Sequence, residues 1–494
     1  MNILDRIAEK TKERVAEQKR LVPDPLKAAE GQPVLRRCDS ISGMNTAGPF
    51  PFEKALRRRE RSRRQADELA IIAEVKKASP SKGIIAENFP YLEIAENYDC
   101  GGADAISCLT EPYWFKGKNE YLTEIRRNVD IPILRKDFTV DDYMIYEAKA
   151  IGADAVLLIV SILDPVQLKD YLQLSQELGL SAIVEAHSAE EIETGLQAGA
   201  RIIGVNNRNL KDFSVDVSNA GRLRDLVPPG VLFISESGVK TREDVRVAEE
   251  MGADAVLVGE SLMRSESKAA KLMELTGRPP MVKTCGLMSE EDVTLVNEAK
   301  PDYAGFVFAK TRHYVSPDLA ADLRKKLDPG IKPVGVFVDT PAEEVIQLLK
   351  AGTIEIAQLH GDESNEEIEA IRKATGRKVI KAIVVRSAED IRKADLYPAA
   401  DYILFDAGKG SGTSFNWGFL KNYRGEKPFF LAGGLNPENV AEAIAKVRPF
   451  AVDVSSGIES RPGAKDRQKL EQFMNAVSHG DGSSGSMSPK VPVT

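Results

Sequence analysis

The tetrapeptide Gly-Ala-Asp-Ala begins at Gly102, Gly152 and Gly252, each copy running straight into an apolar stretch, and Gly199-Ala-Arg-Ile stands near the place a fourth copy would take. A recurrence of about fifty residues is the length of two βα units rather than of a solenoid repeat. The apolar runs behind these glycines are therefore read as even-numbered strands. Odd-numbered strands fall between them, at 69–76, 131–135, 180–185 and 231–235, and each gap leaves room for a helix, as at 165–178 and 243–251. Every crossover can then be a right-handed βαβ connection. A doubly wound open sheet gives the same local pattern. The count of eight, with charges at the strand ends, favours a closed (β/α)8 barrel.

The pattern stops at Leu275-Thr-Gly-Arg-Pro-Pro280, which reads as a linker, and then a second cycle starts. Its strands are expected at 281–285, 303–308, 333–338, 354–359, 379–384, 402–405, 429–431 and 451–454. The expected fold is α/β, two TIM barrels in tandem at 1–275 and 281–478, the first with an extra N-terminal helical segment. Ile3, Leu4 and Ile7 among many charges make that segment an amphipathic helix without the apolar core of a signal peptide. Residues 21–47 read as a connection, 50–70 as a helix and turn, and the Gly-, Ser- and Pro-rich 479–494 as a disordered tail.

Composition narrows the class. A chain of 494 residues that is 43% hydrophobic and 29% charged resembles a soluble globular enzyme. Its net charge of −8 argues against bulk nucleic-acid binding, and the basic run at 57–64 reads as the solvated face of a helix. Cys38, Cys100, Cys108 and Cys285 form neither a CxxC pair nor an even framework, so neither disulfides nor a zinc site is expected. No run reaches membrane-spanning length. The expected setting is a cytoplasmic monomer acting on small molecules, with no nucleic-acid or membrane partner.

The strand ends carry the chemistry. Glu74 and Lys76 lie two positions apart, so both face the barrel interior, and Ser79-Pro80 then breaks the strand. The third strand ends at Lys136, the fifth at Glu185, the sixth at Asn206 and Arg208, and the seventh at Glu236 and Ser237. A purely structural Lys–Glu network is the plain alternative. So many charges converging from different strands are instead expected to hold an anion and to move protons. Gly238 and Gly259 follow the last two strands, where barrels bind phosphate through backbone N–H groups, which points to a phosphate ester.

In the second cycle the first strand ends at Cys285 and the sixth at Asp406, while His360 follows the fourth in Gln-Leu-His-Gly. Singly, a buried cysteine is usually filler, an aspartate a helix cap and a histidine structural; together at strand ends they suggest a site. Gly433 and Gly434, then Asp453, Ser455 and Ser456, form the turns after the last two strands, again a place for a sugar phosphate.

Glu-Val-Lys-Lys-Ala-Ser-Pro-Ser-Lys-Gly at 74–83, Leu-Arg-Lys-Asp-Phe at 134–138, Gly-Val-Asn-Asn-Arg at 204–208 and Ser-Glu-Ser-Gly-Val at 235–239 together resemble indole-3-glycerol-phosphate synthase over roughly residues 1–275. The resemblance implies ring closure of carboxyphenylamino-deoxyribulose phosphate with loss of carbon dioxide and water, without metal or organic cofactor. It implies Lys136 as general acid, Lys76 as holder of the substrate carboxylate with a share in the acid role left open, and Glu185 as base in the dehydration. Glu74, Ser79, Asn206, Arg208, Glu236 and Ser237 would orient substrate and lysines, and Gly238 and Gly259 would serve the phosphate. Relatives often have Ser where Glu260 stands, and a carboxylate there is expected to turn away from the anion.

Lys-Thr-Cys-Gly at 283–286, Gln-Leu-His-Gly at 358–361, Asp-Ala-Gly-Lys-Gly-Ser-Gly at 406–412, Gly-Gly-Leu-Asn-Pro-Glu-Asn-Val at 433–440 and Asp-Val-Ser-Ser-Gly-Ile-Glu at 453–459 resemble phosphoribosylanthranilate isomerase over roughly 281–478. That family performs an Amadori rearrangement, which implies Asp406 as acid and thiolate Cys285 as base. Its members usually carry Arg where His313 stands, so Arg312 and His313 are the two candidates for holding the anthranilate. Two alternatives are a barrel isomerising the related histidine-pathway aminoaldose, for which paired aspartates are expected, and a silent regulatory barrel.

Overall fold

The computed structural model describes residues 3–30, 49–57, 69–208, 214–408, 416–423, 425 and 427–478. Cys38, residues 58–64 of the basic run, the glycine loop at 409–415 and the tail at 479–494 lie outside them. The chain divides into two compact units, Met1–Gly277 and Arg278–Thr494, each built on a closed eight-stranded parallel barrel.

The strands of the first barrel are β1 Ala70–Val75, β2 Ala105–Leu109, β3 Ile133–Lys136, β4 Ala155–Ile159, β5 Ser181–Ala186, β6 Ile202–Asn206, β7 Leu232–Glu236 and β8 Ala255–Val258. Alternation sorts their side chains. Ile71, Ala73, Val75, Ile106 and Val156 pack outward against the helices, while Ile72, Leu134, Leu157, Ile183, Ile234 and Leu257 fill the interior. The third strand starts later than the sequence reading placed it, because Pro132 has no N–H to enter the ladder; it ends on Lys136.

The Gly-Ala-Asp repeats occupy the amino-terminal end. Asp104, Asp154 and Asp254 accept the backbone N–H of Ile71, Ile133 and Phe233, each at 2.9 Å, so each carboxylate ties an even strand to the odd strand before it. Arg201, in the fourth place, does something else. It donates to Glu53 at 2.7 Å, on the helix Pro51–Leu56. Phe52 and Leu56 of that helix are buried in the interior cluster and close the barrel floor. At the opposite end runs the helix Ile3–Leu21, with Ile3, Leu4 and Ile7 against the mouth. Arg14 on this helix bonds both oxygens of Asp137 at 3.0 Å.

The second barrel comprises β9 Met281–Cys285, β10 Tyr303–Val307, β11 Lys332–Phe337, β12 Ile356–Leu359, β13 Lys378–Val384, β14 Tyr402–Asp406, β15 Phe429–Leu431 and β16 Ala451–Val454. The rings of Tyr303, Tyr402 and Phe430 pack at centroid distances of 5.4 and 5.5 Å around its interior. Asp302 and Asp401 tie strands as in the first barrel, accepting from Val282 N at 2.9 Å and Val379 N at 2.7 Å. Among the described residues no helix is long and apolar enough to cross a membrane.

Candidate active sites

In the first barrel five inward-facing core residues are followed two positions later by a polar or glycine residue at the mouth, while Leu157 leads to Ile159. Ile72 gives way to Glu74, Leu134 to Lys136, Ile183 to Glu185, Ile234 to Glu236 and Leu257 to Gly259. These residues line a cavity of about 760 Å³, together with Lys76, Ser79, Asn206, Arg208, Ser237 and Gly238. The volume suits a small organic anion.

Lys136 is the hub. Its Nζ lies 2.5 Å from Glu236 Oε2 and 3.2 Å from Glu185 Oε2, and Asn206 Nδ2 reaches Glu185 Oε1 at 3.2 Å. Lys76 pairs with Glu74. Three carboxylates thus face two ammonium groups, and the proton that relieves the surplus negative charge settles on Glu236. Burial pushes its pKa up to about 7, Lys136 pulls the other way, and Glu185 and Glu74 push with the burial. Burial also acts to raise Glu185, but Lys136, His187 and the Asn206 hydrogen bond outweigh it and hold that carboxyl below its usual range. Burial opposes the charge on Lys136, yet the surrounding carboxylates win and its pKa rises. Glu236 Oε1 is buried with no hydrogen-bond partner.

The turn after β7 is strained into place. Ser237 and Gly238 have φ of 69° and 98°, and Asn207 holds them by donating to Ser235 Oγ and Ser237 O, both at 3.1 Å. Glu260 lines the cavity, but its carboxylate bonds Arg264 at 3.1 Å on its own helix. Asn207, Asp137 and His187 join these groups without having stood out in the sequence. His187 stands 3.7 Å from Glu185 and 3.4 Å from Glu191, and its pKa is raised: burial opposes the charge, and the two glutamates outweigh it.

In the second barrel Cys285, Asp406 and Asp453 sit at the carboxyl ends of β9, β14 and β16, and His360 follows β12. His360 Nε2 is 3.8 Å from Asp406 Oδ2, and its Nδ1 is 3.1 Å from Gln358 Nε2. Burial lowers the His360 pKa against the opposing pull of Asp406 and Asp453, leaving a neutral ring beside the acid. Gly433 and Gly434 take φ of 88° and 67°, and Asn439 pins their turn by donating to Gly434 O at 2.9 Å. Ser455 is half-buried and Ser456 exposed at the end of β16.

The two candidates for the aromatic acid differ. Arg312 is exposed. His313 turns inward, its Nε2 2.8 Å from Glu459 Oε1. Burial acts to raise the Glu459 carboxyl, but the His313 hydrogen bond, Lys465 and Gly463 N–H together hold it down at about 2. Neither Glu459 nor Lys465 was singled out from the sequence. Among the described residues no cluster of three or more His, Cys, Asp or Glu could hold a metal ion.

Eight-stranded parallel barrels with acid–base groups at the strand ends and glycine turns after the last two strands define TIM-barrel enzymes acting on small phosphorylated molecules. The family model for indole-3-glycerol phosphate synthase matches residues 4–275, and that for N-(5'phosphoribosyl)anthranilate (PRA) isomerase matches 282–476. The chain belongs to the indole-3-glycerol phosphate synthase family and carries a PRA isomerase domain in tandem with it. It is 48% identical to the indole-3-glycerol phosphate synthase of Ruminiclostridium cellulolyticum over 275 residues, 56% of this chain and 99% of that one. It is 36% identical to the multifunctional tryptophan biosynthesis protein of Schizosaccharomyces pombe over 83% of this chain, spanning 59% of that protein's length. A solved phosphoribosyl anthranilate isomerase from Thermotoga maritima is 37% identical over 40% of this chain and 98% of that one, with a TM-score of 0.38.

Proposed function

We propose that the two barrels catalyse consecutive steps of tryptophan biosynthesis, with residues 1–275 and 281–478 as the two catalytic domains. The second isomerises N-(5-phosphoribosyl)anthranilate to 1-(2-carboxyphenylamino)-1-deoxyribulose 5-phosphate. The first converts that ketose to indole-3-glycerol phosphate.

In the second barrel Asp406 gives a proton to the ribose ring oxygen, opening the ring, and the Cys285 thiolate removes one from the adjacent carbon. One proton is given and one taken, as an isomerisation requires. His360 orients Asp406, His313 meets the anthranilate carboxylate, and the turns at Gly433, Gly434, Ser455 and Ser456 take the phosphate.

In the first barrel Lys136 protonates the carbonyl oxygen as the new carbon–carbon bond forms and carbon dioxide leaves; in the dehydration the resulting hydroxyl takes a second proton from an ammonium group and departs as water while Glu185 removes a proton from the new ring. Lys76 faces the substrate carboxylate. Asn206, Arg208, Ser79 and Ser237 position the rest, with Gly238 and Gly259 at the phosphate. The observation that carries this reading is the meeting of Lys136 with Glu185 and Glu236 from three separate strands in one cavity.

The reading includes a monomeric chain working in the cytoplasm on phosphorylated sugars alone. The test is complementation of two hosts, each lacking one activity. Growth of both without tryptophan is expected; failure in either host with soluble protein present removes that barrel's assignment.

A further inference from the structure

Lys283 enters none of these steps, yet its side chain is wholly buried inside the second barrel. It stands on β9 two residues before Cys285, so the ammonium and the thiol share the interior face. Its register partner on β16 is Asp453, and Nζ meets Asp453 Oδ2 at 2.9 Å. The other carboxylate oxygen, Oδ1, is buried and has no hydrogen-bond partner. A second buried ammonium braces the same place. Lys465 donates to the carbonyl oxygen of Cys285 at 2.6 Å and to Ser455 O at 3.2 Å, fixing the backbone that bears the thiol.

Cys285 also packs with the apolar side chains of Val307, Ala309 and Val336. Such a wall favours the neutral thiol, and a thiol is a poor base. A buried Lys–Asp pair is seldom a better filler than apolar side chains of the same volume, so packing alone gives little reason for it.

We propose that Lys283, anchored by Asp453, is a positioning residue that eases ionisation of Cys285 to the thiolate that the isomerisation uses. The proposal rests on Cys285 being the base. Burial leaves the Cys285 pKa above the ordinary thiol value; Lys283 opposes that most strongly, Asp453 adds to it and Lys465 opposes it more weakly, so Lys283 reduces the cost of ionising the sulfur without removing it. Lys283 touches no reacting atom in this account. It acts through the sulfur.

The test is the ultraviolet thiolate absorbance of the full chain against pH, with Cys285→Ser subtracted to isolate this one thiol. Lys283→Met is expected to move the midpoint up by about one pH unit or more and to lower isomerase kcat about tenfold at neutral pH, with recovery as pH rises. Lys283→Arg keeps most of the activity. Asp453→Asn keeps a side-chain oxygen to accept from Lys283 Nζ while removing the repelling charge, so the midpoint moves down, a change of opposite sign that a packing role does not produce and that stands even where Lys283→Met fails to fold. An unmoved midpoint in folded Lys283→Met, or an upward or absent shift in Asp453→Asn, overturns the proposal. Full isomerase turnover by Cys285→Ser instead sinks the assignment of the base, and the catalytic part of the proposal with it, whatever the titration shows.

Discussion

Gly259 lies where the carboxylate of Glu74 passes: a Cβ at this position would collide with Glu74 Oε1 and stand 3.0 Å from Lys76 Nζ. The glycine at the end of β8 therefore makes room for the Glu74–Lys76 pair. Its φ of −118° is open to any residue, so only space forbids a side chain. Gly259→Ala is expected to cost about 1–3 kcal/mol of stability through overpacking. First-barrel activity should fall at least about tenfold because Lys76 is displaced, while isomerase turnover is unchanged. Thermal unfolding and paired steady-state assays check both; near-normal first-barrel rates would show that the pair is dispensable.

Glu236 sets a pH dependence. Its folded-state pKa of about 7 lies above the ordinary 4.5, so between these values the folded chain holds a proton that the unfolded chain has released. Stability from this group therefore falls as pH rises through that window. Ionised Glu236 also repels an anionic substrate. First-barrel KM should climb above pH 7 in the wild type, and Glu236→Gln should flatten that climb and raise Tm at pH 8 more than at pH 5. Parallel KM profiles in the two proteins would remove Glu236 as the cause.

His313, and not Arg312, is expected to meet the aromatic acid, because His313 is turned inward to Glu459 and Arg312 is exposed. His313→Ala should raise isomerase KM about tenfold, equivalent to about 1.4 kcal/mol, while Arg312→Ala changes it less than about threefold. His313→Arg should bind substrate at least as tightly, since a guanidinium can grip a carboxylate with two hydrogen bonds. The reverse order of effects would assign the contact to Arg312.

The features open to sequence reasoning were the periodic ones. Gly-Ala-Asp marks a strand start because its aspartate accepts the N–H of the preceding odd strand, as Asp254 does from Phe233, and a structural task repeated around a ring leaves a repeated motif. Alternation by two placed Glu74 with Lys76, and it could also have drawn attention to Lys283 before Cys285. Pairings between distant segments had no such signal. Arg14 and Asp137 are 123 residues apart, and Glu53 with Arg201, or His313 with Glu459, meet only because helices and loops pack over the barrel ends. Arg201 shows the limit well. Its departure from the repeat was visible, but its reason, the carboxylate on a helix plugging the floor, was not.

Two independent sites on one chain are the core of this account, so the decisive measurement is the steady-state rate of both reactions in purified wild type, Lys136→Met and Cys285→Ser. Lys136→Met should lose indole-3-glycerol phosphate formation and keep isomerisation at the wild-type rate; Cys285→Ser should do the converse. Wild-type turnover of its own reaction by either variant, or loss of both reactions in one folded variant, would contradict it.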